Sequence, residues 1–200
     1  MIGLSEAEGK LRHLVLASGS PRRRDLLKEA GLEFDIDPPE VEELEAGALP
    51  PVELATTNAR LKACTVAARR PADLVLGSDT VVVFEEKVYG KPRDLDEAFE
   101  NLSRFSGQVH QVITAVSLME GERVVDFCER AFVKFRELSE SEIKAYLRDV
   151  PVLDKAGGYA AQEEGARIIE SIEGDFNTVI GLPVARVLEK LEELNFPLPL

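Results

Sequence analysis

The chain has 200 residues, 44% of them hydrophobic, which is enough for one ordinary folded domain, or for two lobes sharing a cleft. Its 24 Lys and Arg stand against 37 Asp and Glu, a net charge of -13, so a broad nucleic-acid or anionic-lipid surface is excluded and any basic patch must be small and local. Cys64 and Cys128 lie far apart with no C-x-x-C spacing, which argues against a zinc site or a disulfide framework and predicts two buried thiols. The opening MIGLSEAEGKLRH lacks the apolar run of a signal peptide, and no stretch approaches the roughly 18 apolar residues of a membrane span. The expectation is a soluble, cytoplasmic protein with no nucleic-acid and no membrane partner.

In chain order, HLVLA (13–17) reads as a buried strand that stops at Ser18-Gly19-Ser20-Pro21, and RRRDLLKEAG reads as a short helix. Pro21 suits a first helical position, Ser20 an N-cap and Gly31 the stop. A short extended piece, FDIDP, is followed by the acidic segment EVEELEAG and a long helix from about Pro51 to Arg69, with Ala55, Ala59, Lys62 and Val66 at spacings of three and four. DLVLG is a buried strand, expected to turn at Gly77-Ser78 and to restart as TVVVF after Asp79; EEKVYGKP is a hairpin or tight loop.

DLDEAFENLSRF has helical spacing and ends at Ser106-Gly107. VHQVITAVSLM and RVVDFCERAFVKF, both rich in β-branched residues, flank the turn EGE as a long hairpin. Ser139 and Glu142 form a capping box for the next helix, and Val184, Val187, Leu188, Leu191 and Leu194 mark the last one. Strands and helices alternate early and a β-ribbon enters later, which points to an α/β protein with a mixed sheet. His13 and His110 sit in apolar strand patterns and read as structural.

Ser18, Ser20, Arg22, Arg23 and Arg24 gather at a helix start, where unpaired amides and the helix dipole favour an anion by about 0.3–1 kcal/mol. The same arginines also serve simply to balance an acidic surface. Asp79 ends an apolar run, where a carboxylate is poorly solvated unless it meets a cation, hydrogen bonds or a proton to accept; a turn-forming Asp is the alternative. Glu40, Glu42 and Glu43 are either a solvated run or a source of carboxylates for a hard cation. Lys62, Lys91 and Lys155 each sit in or beside a compact motif. Together these residues are the inventory for cleaving a phosphoanhydride: cations for the phosphates and a carboxylate for the water.

The segments LASGSPRRRDLL, LGSDTVV, YGKPRD, SGQVHQVITAV, LDKAGGYAAQ and GDFNTVIGLPV occur in the order seen in Maf-like proteins, and the resemblance runs from about Leu14 to Leu191. It implies a single domain over 1–200, with 1–12 an N-terminal extension and 195–200 a tail. The implied fold is similar to that of inosine triphosphate pyrophosphatases: an elongated α/β fold with a mixed sheet and two lobes around a deep cleft, often paired as a homodimer. The implied activity is metal-dependent hydrolysis of a nucleoside triphosphate to its monophosphate and pyrophosphate.

By the same resemblance Asp79 activates water and, with Glu43, holds a divalent metal (Mg²⁺ or Mn²⁺). Ser18, Arg22, Arg23, Lys62 and Lys91 line the triphosphate path. Arg22, Thr80 and Gln162 match the branch resembling dTTP/UTP pyrophosphatases, and an amide at Gln162 offers a pyrimidine edge both a donor and an acceptor. Glu163 and Glu164 add negative charge beside that position. The alternatives are a 7-methyl-GTP pyrophosphatase, or a nucleotide-binding regulator of septum formation with slow hydrolysis. A domain using Arg22 to Arg24 on an acidic partner is a third.

Overall fold

A computed structural model describes residues 12–198. The elements are β1 (Leu14–Ala17), α1 (Pro21–Glu29), β2 (Phe34–Ile36), α2 (Pro51–Ala67), β3 (Leu74–Phe84), β4 (Lys87–Tyr89) and α3 (Leu95–Phe105). There follow β5 (Val109–Glu120), β6 (Arg123–Phe135), α4 (Glu140–Asp149), β7 (Ile169–Glu173), α5 (Phe176–Ile180) and α6 (Val184–Glu193). Short 3₁₀ turns occupy Ala156–Gly158 and Glu163–Arg167. No described helix is long and apolar enough to cross a membrane.

The strands form one mixed seven-stranded sheet ordered β2-β1-β3-β5-β6-β7, with β4 also paired to β3. β1 runs parallel to β2 and β3, and the remaining pairs are antiparallel. Along one edge, β3 pairs with β1 only as far as Ala17–Gly77 and with β4 only from Val82–Tyr89 onward. Ser78 to Val81 therefore have a strand neighbour on the β5 side alone. This notch lies where β1 ends and the chain turns into α1, the kind of crevice in which open α/β sheets take ligands.

Alternation along the strands sends apolar side chains to both faces. On one face Leu14, Leu16, Leu74 and Leu76 pack with α1 and α6 as a first core, to which Phe196 also belongs. Farther along the same face Val82, Val112, Val133 and Phe135 pack with α3 and α4 as a second. Between them runs a polar seam of Ser78, Thr80 and Thr114. α2 covers the opposite face, setting Ala63 and Val66 against Val15 and Val75, and Leu54, Ala55 and Ala59 against Val81 and Ile113.

Three expectations are corrected. β3 does not turn at Gly77-Ser78 but continues as a single strand through Asp79. Gly77 is required by packing: a Cβ there would stand 2.3 Å from Ala59 O and 2.7 Å from Ala63 N, so its absence is what lets α2 lie directly on the strand. Ser20 precedes α1 as expected, with Pro21 at the first helical position, but its side chain caps nothing; instead Ser18 Oγ accepts from the Ser20 amide at 3.2 Å. Cys64 is exposed, because it lies two residues beyond Lys62 on α2 and so on the side away from the sheet, and Cys128 is half-buried on β6.

The capping box holds, with Ser139 Oγ accepting from the Glu142 amide and Glu142 Oε2 accepting from the Ser139 amide. The β3–β4 hairpin turns through Glu85 and Glu86, both at positive φ, as a tight two-residue loop requires. The long β5–β6 hairpin pairs from Val109–Lys134 to Glu120–Arg123. β7, unanticipated in the sequence, extends the sheet beside β6.

His110 is structural. It stacks on Phe105 at 4.7 Å, meets Phe135 edge-on at 4.9 Å, and places Nε2 2.7 Å from the Tyr159 hydroxyl. His13 is exposed, and its carbonyl accepts from the Leu74 amide at 2.9 Å.

Two outcomes follow from this packing. Gly77→Ala must push α2 off β3, with an expected loss of about 3 kcal/mol read from the urea midpoint. Burial lowers the His110 pKa from 6.5 to about 4, so between those values the unfolded imidazole takes up a proton that the folded one refuses. Its contribution is intact above about pH 6.5 and is lost as pH falls toward 4. Over that window the unaltered chain should lose about 3 kcal/mol more than His110→Phe, measured by denaturation at each pH.

Candidate active site

The notch in the sheet opens into a cleft of about 1320 Å³. One wall is the β1–α1 turn, and another is the 38–46 loop with α2. The far side is β4, α3 and the 154–162 loop. Ser18, Arg22, Arg23, Glu43, Lys62 and Asp79 all line it, as do Thr80, Lys91, Lys155 and Gln162.

At the centre, Lys62 projects from α2 onto the face of β3 that carries Asp79. Both side chains are buried, and Lys62 Nζ lies 2.7 Å from Asp79 Oδ1 and 2.8 Å from Glu43 Oε2, with the Ser78 carbonyl at 3.4 Å. Glu43 is in a loop, yet its neighbour Leu44 is clamped at both backbone groups by Asn58, whose Oδ1 accepts from the Leu44 amide at 2.9 Å and whose Nδ2 donates to its carbonyl at 3.1 Å. Asn58 sits one helical turn before Lys62, so a single face of α2 supplies the cation and fixes the second carboxylate. Asn58 was not singled out from the sequence, although a polar residue inside the Ala55–Ala59–Lys62 stripe is a legible signal.

Burial raises the pKa of Asp79 above the ordinary aspartate range, against the pull of Lys62 and Arg23. Burial works in the same direction on Glu43, but there the Lys62 and Lys91 ammonium groups prevail and its pKa is lowered. The two carboxylates thus differ in basicity while sharing one cation.

Arg23 enters through the polar seam on the opposite face. Its Nε donates to the Gly181 carbonyl at 2.9 Å, one terminal nitrogen to Ser18 Oγ at 3.3 Å and the other to Thr80 Oγ1 at 3.2 Å. The Thr114 hydroxyl gives its proton to the Thr178 carbonyl at 2.7 Å, so at the 2.9 Å Thr80–Thr114 contact Thr80 is the donor. The chain Arg23–Thr80–Thr114–Thr178 has one consistent direction, and the Thr80 hydroxyl is committed to holding Arg23.

Arg22 reaches across the cleft mouth to Asp154 at 2.9 Å, and Lys155 pairs with the same carboxylate at 2.6 Å. Arg24 turns away and pairs with its neighbour Asp25. Glu40 and Glu42 are exposed and outside the cleft lining, which separates them from Glu43. Lys91 has no ion-pair partner among the described residues, and Gln162 is exposed at the cleft. Glu164 pairs with Arg167 at 3.1 Å, which offsets its charge; the side chain of Glu163 lies outside the described part of the structure.

The family model described as "Maf-like protein" matches residues 13–194. The chain belongs to the Maf family. Curated Maf relatives named dTTP/UTP pyrophosphatase from Bacillus cytotoxicus and Bacillus cereus are each 41% identical over 185 residues, covering 92% of this chain and 97% of the relative. Among solved structures, the Staphylococcus aureus Ham1 protein superposes with a TM-score of 0.53 at 15% identity, over 92% of this chain and all of that one, which shows a shared mixed-sheet α/β fold.

Replacing the shared cation tests the electrostatics. In Lys62→Gln the Asp79 carboxyl should titrate at higher pH than in the unaltered chain, followed by carbon NMR of labelled aspartate; an unchanged titration would mean that Lys62 does not set its charge state.

Proposed function

We propose that this protein is a nucleoside triphosphate pyrophosphatase acting on dTTP and UTP, with Asp79 as the general base. The observation that carries the reading is the buried Asp79 carboxylate, raised in basicity, set among Lys62, Glu43 and Arg23 in a cleft large enough for a nucleotide. The names of the Bacillus relatives support the substrate class.

In this reading Asp79 takes a proton from a water molecule whose oxygen attacks the α-phosphorus. The bond from that phosphorus to the α–β bridging oxygen breaks, and pyrophosphate departs with the bonding pair, leaving the nucleoside monophosphate. Ser18, Arg22, Arg23, Lys62 and Lys91 bind the phosphates and offset the charge that develops on their oxygens. For Arg22 this means exchanging Asp154 for a phosphate, a bidentate ligand its planar fork suits. Gln162 faces the base and reads its edge.

Glu43 and Asp79 fit a divalent cation, since both converge on one positive charge, that of Lys62 Nζ. No group of three or more His, Cys, Asp or Glu among the described residues is arranged to hold a metal; Glu43 and Asp79 would hold the ion together with substrate phosphate oxygens, as one or two carboxylates commonly do for Mg²⁺. When bound, the ion neutralises phosphate charge.

Pyrophosphate release from dTTP, UTP, CTP, GTP and 7-methyl-GTP, with and without Mg²⁺ or Mn²⁺, tests the reading. Metal-dependent release favouring dTTP and UTP is expected; binding of these nucleotides without release from any of them would instead make the protein a nucleotide sensor. Asp79→Asn should keep nucleotide binding and lower kcat by about a hundredfold or more. Because Asp79 acts deprotonated, the rate should fall as pH drops through the titration of its carboxyl group, and this acid limb should vanish in the variant.

A further inference from the structure

The loop that carries Gln162 is tied to α4, a helix that contributes nothing to the cleft lining. The ring of Tyr146 on α4 is fully buried, and its hydroxyl satisfies both backbone groups of Ala160, donating to the carbonyl at 3.2 Å and accepting from the amide at 2.9 Å. One hydroxyl thus fixes the peptide units on either side of a residue two positions before Gln162. The preceding residue, Tyr159, is anchored to His110 at 2.7 Å.

Beyond Gln162 the chain returns to the same helix. Gly165 lies so close to Ala160 that an added Cβ would stand 3.2 Å from its carbonyl oxygen. Arg167 lies 5.7 Å above the Tyr146 ring and pairs with Asp149 at the end of α4 at 3.2 Å. Tyr146 therefore touches the segment on both sides of Gln162, while the Gln162 side chain makes no hydrogen bond among the described residues.

We propose that Tyr146 is a positioning residue for base selection, its hydroxyl fixing the backbone from which Gln162 meets the nucleobase. This rests on the reading of Gln162 given above. An amide distinguishes bases only while donor and acceptor are both aligned, and hydrogen bonds weaken steeply with misalignment. A loop held in one geometry also loses less freedom when the base arrives. The phosphates and the attacking water meet other elements, so loosening the loop separates base choice from chemistry.

Tyr146→Phe keeps the buried ring and removes only the hydroxyl. Its preference for dTTP over CTP, as the ratio of kcat/KM values, is expected to fall about tenfold through KM, with kcat for dTTP within about twofold of the unaltered chain. In a Gln162→Ala background the same change should leave the ratio where Gln162→Ala put it, since the two act as one unit. Ile143→Val, a core truncation one turn earlier on α4, controls for general loosening and should leave the preference intact.

An unchanged preference in Tyr146→Phe, an equal shift in Ile143→Val, or additive effects in the double variant would each overturn the positioning role alone. A Gln162→Ala variant with the original preference would overturn the base-reading role of Gln162, and this proposal with it.

Discussion

The ion pair between Lys62 and Asp79 joins the two parts of the molecule on which the cleft depends. One partner belongs to α2 and the other to β3, and they meet because Gly77 lets the helix lie on the strand two residues before the carboxylate. Breaking a buried pair by removing one partner strands an uncompensated charge, so the pair and the packing that creates it hold each other in place. Glu43 joins the same cation through the Asn58 clamp on its own loop. The centre thus has helix-fixed geometry although one of its carboxylates comes from irregular chain.

The notch beside Ser78 to Val81 explains how groups from both faces of one sheet converge. Asp79 points toward α2, and Thr80 points into the seam between the two apolar cores. A complete neighbouring strand would have walled these residues off; β1 ends before them and β4 begins after them. Arg23 enters from the α1 side through the threonine chain, and Lys62 from the α2 side. In a protein of net charge -13, cations from separate elements gather in one cleft, a local concentration that the overall charge conceals.

Much of this organisation was legible in the sequence. Period-two and helical spacings marked most elements, the capping box at Ser139 marked α4, and Pro21 marked the start of α1. Residue types with obvious chemistry, the arginines at a helix start and an aspartate closing an apolar run, drew attention to Ser18, Arg22, Arg23 and Asp79, which all line the cleft. Arg24, with the same chemistry and adjacent in the chain, faces away, because a helix turns about 100° per residue and cannot aim three consecutive side chains at one point.

The sequence by itself determined the periodicities, the punctuation and the supply of charged groups, because those follow from bonds and torsions a few residues long. Only the tertiary structure decided that Gly77 is a contact and not a turn, that Asp79 lies within a strand, that Thr80 serves Arg23, and that Tyr146 governs a loop reached fourteen residues later. Each of these depends on which element packs against which, and local chain geometry does not contain the separation between a strand and a helix that crosses it.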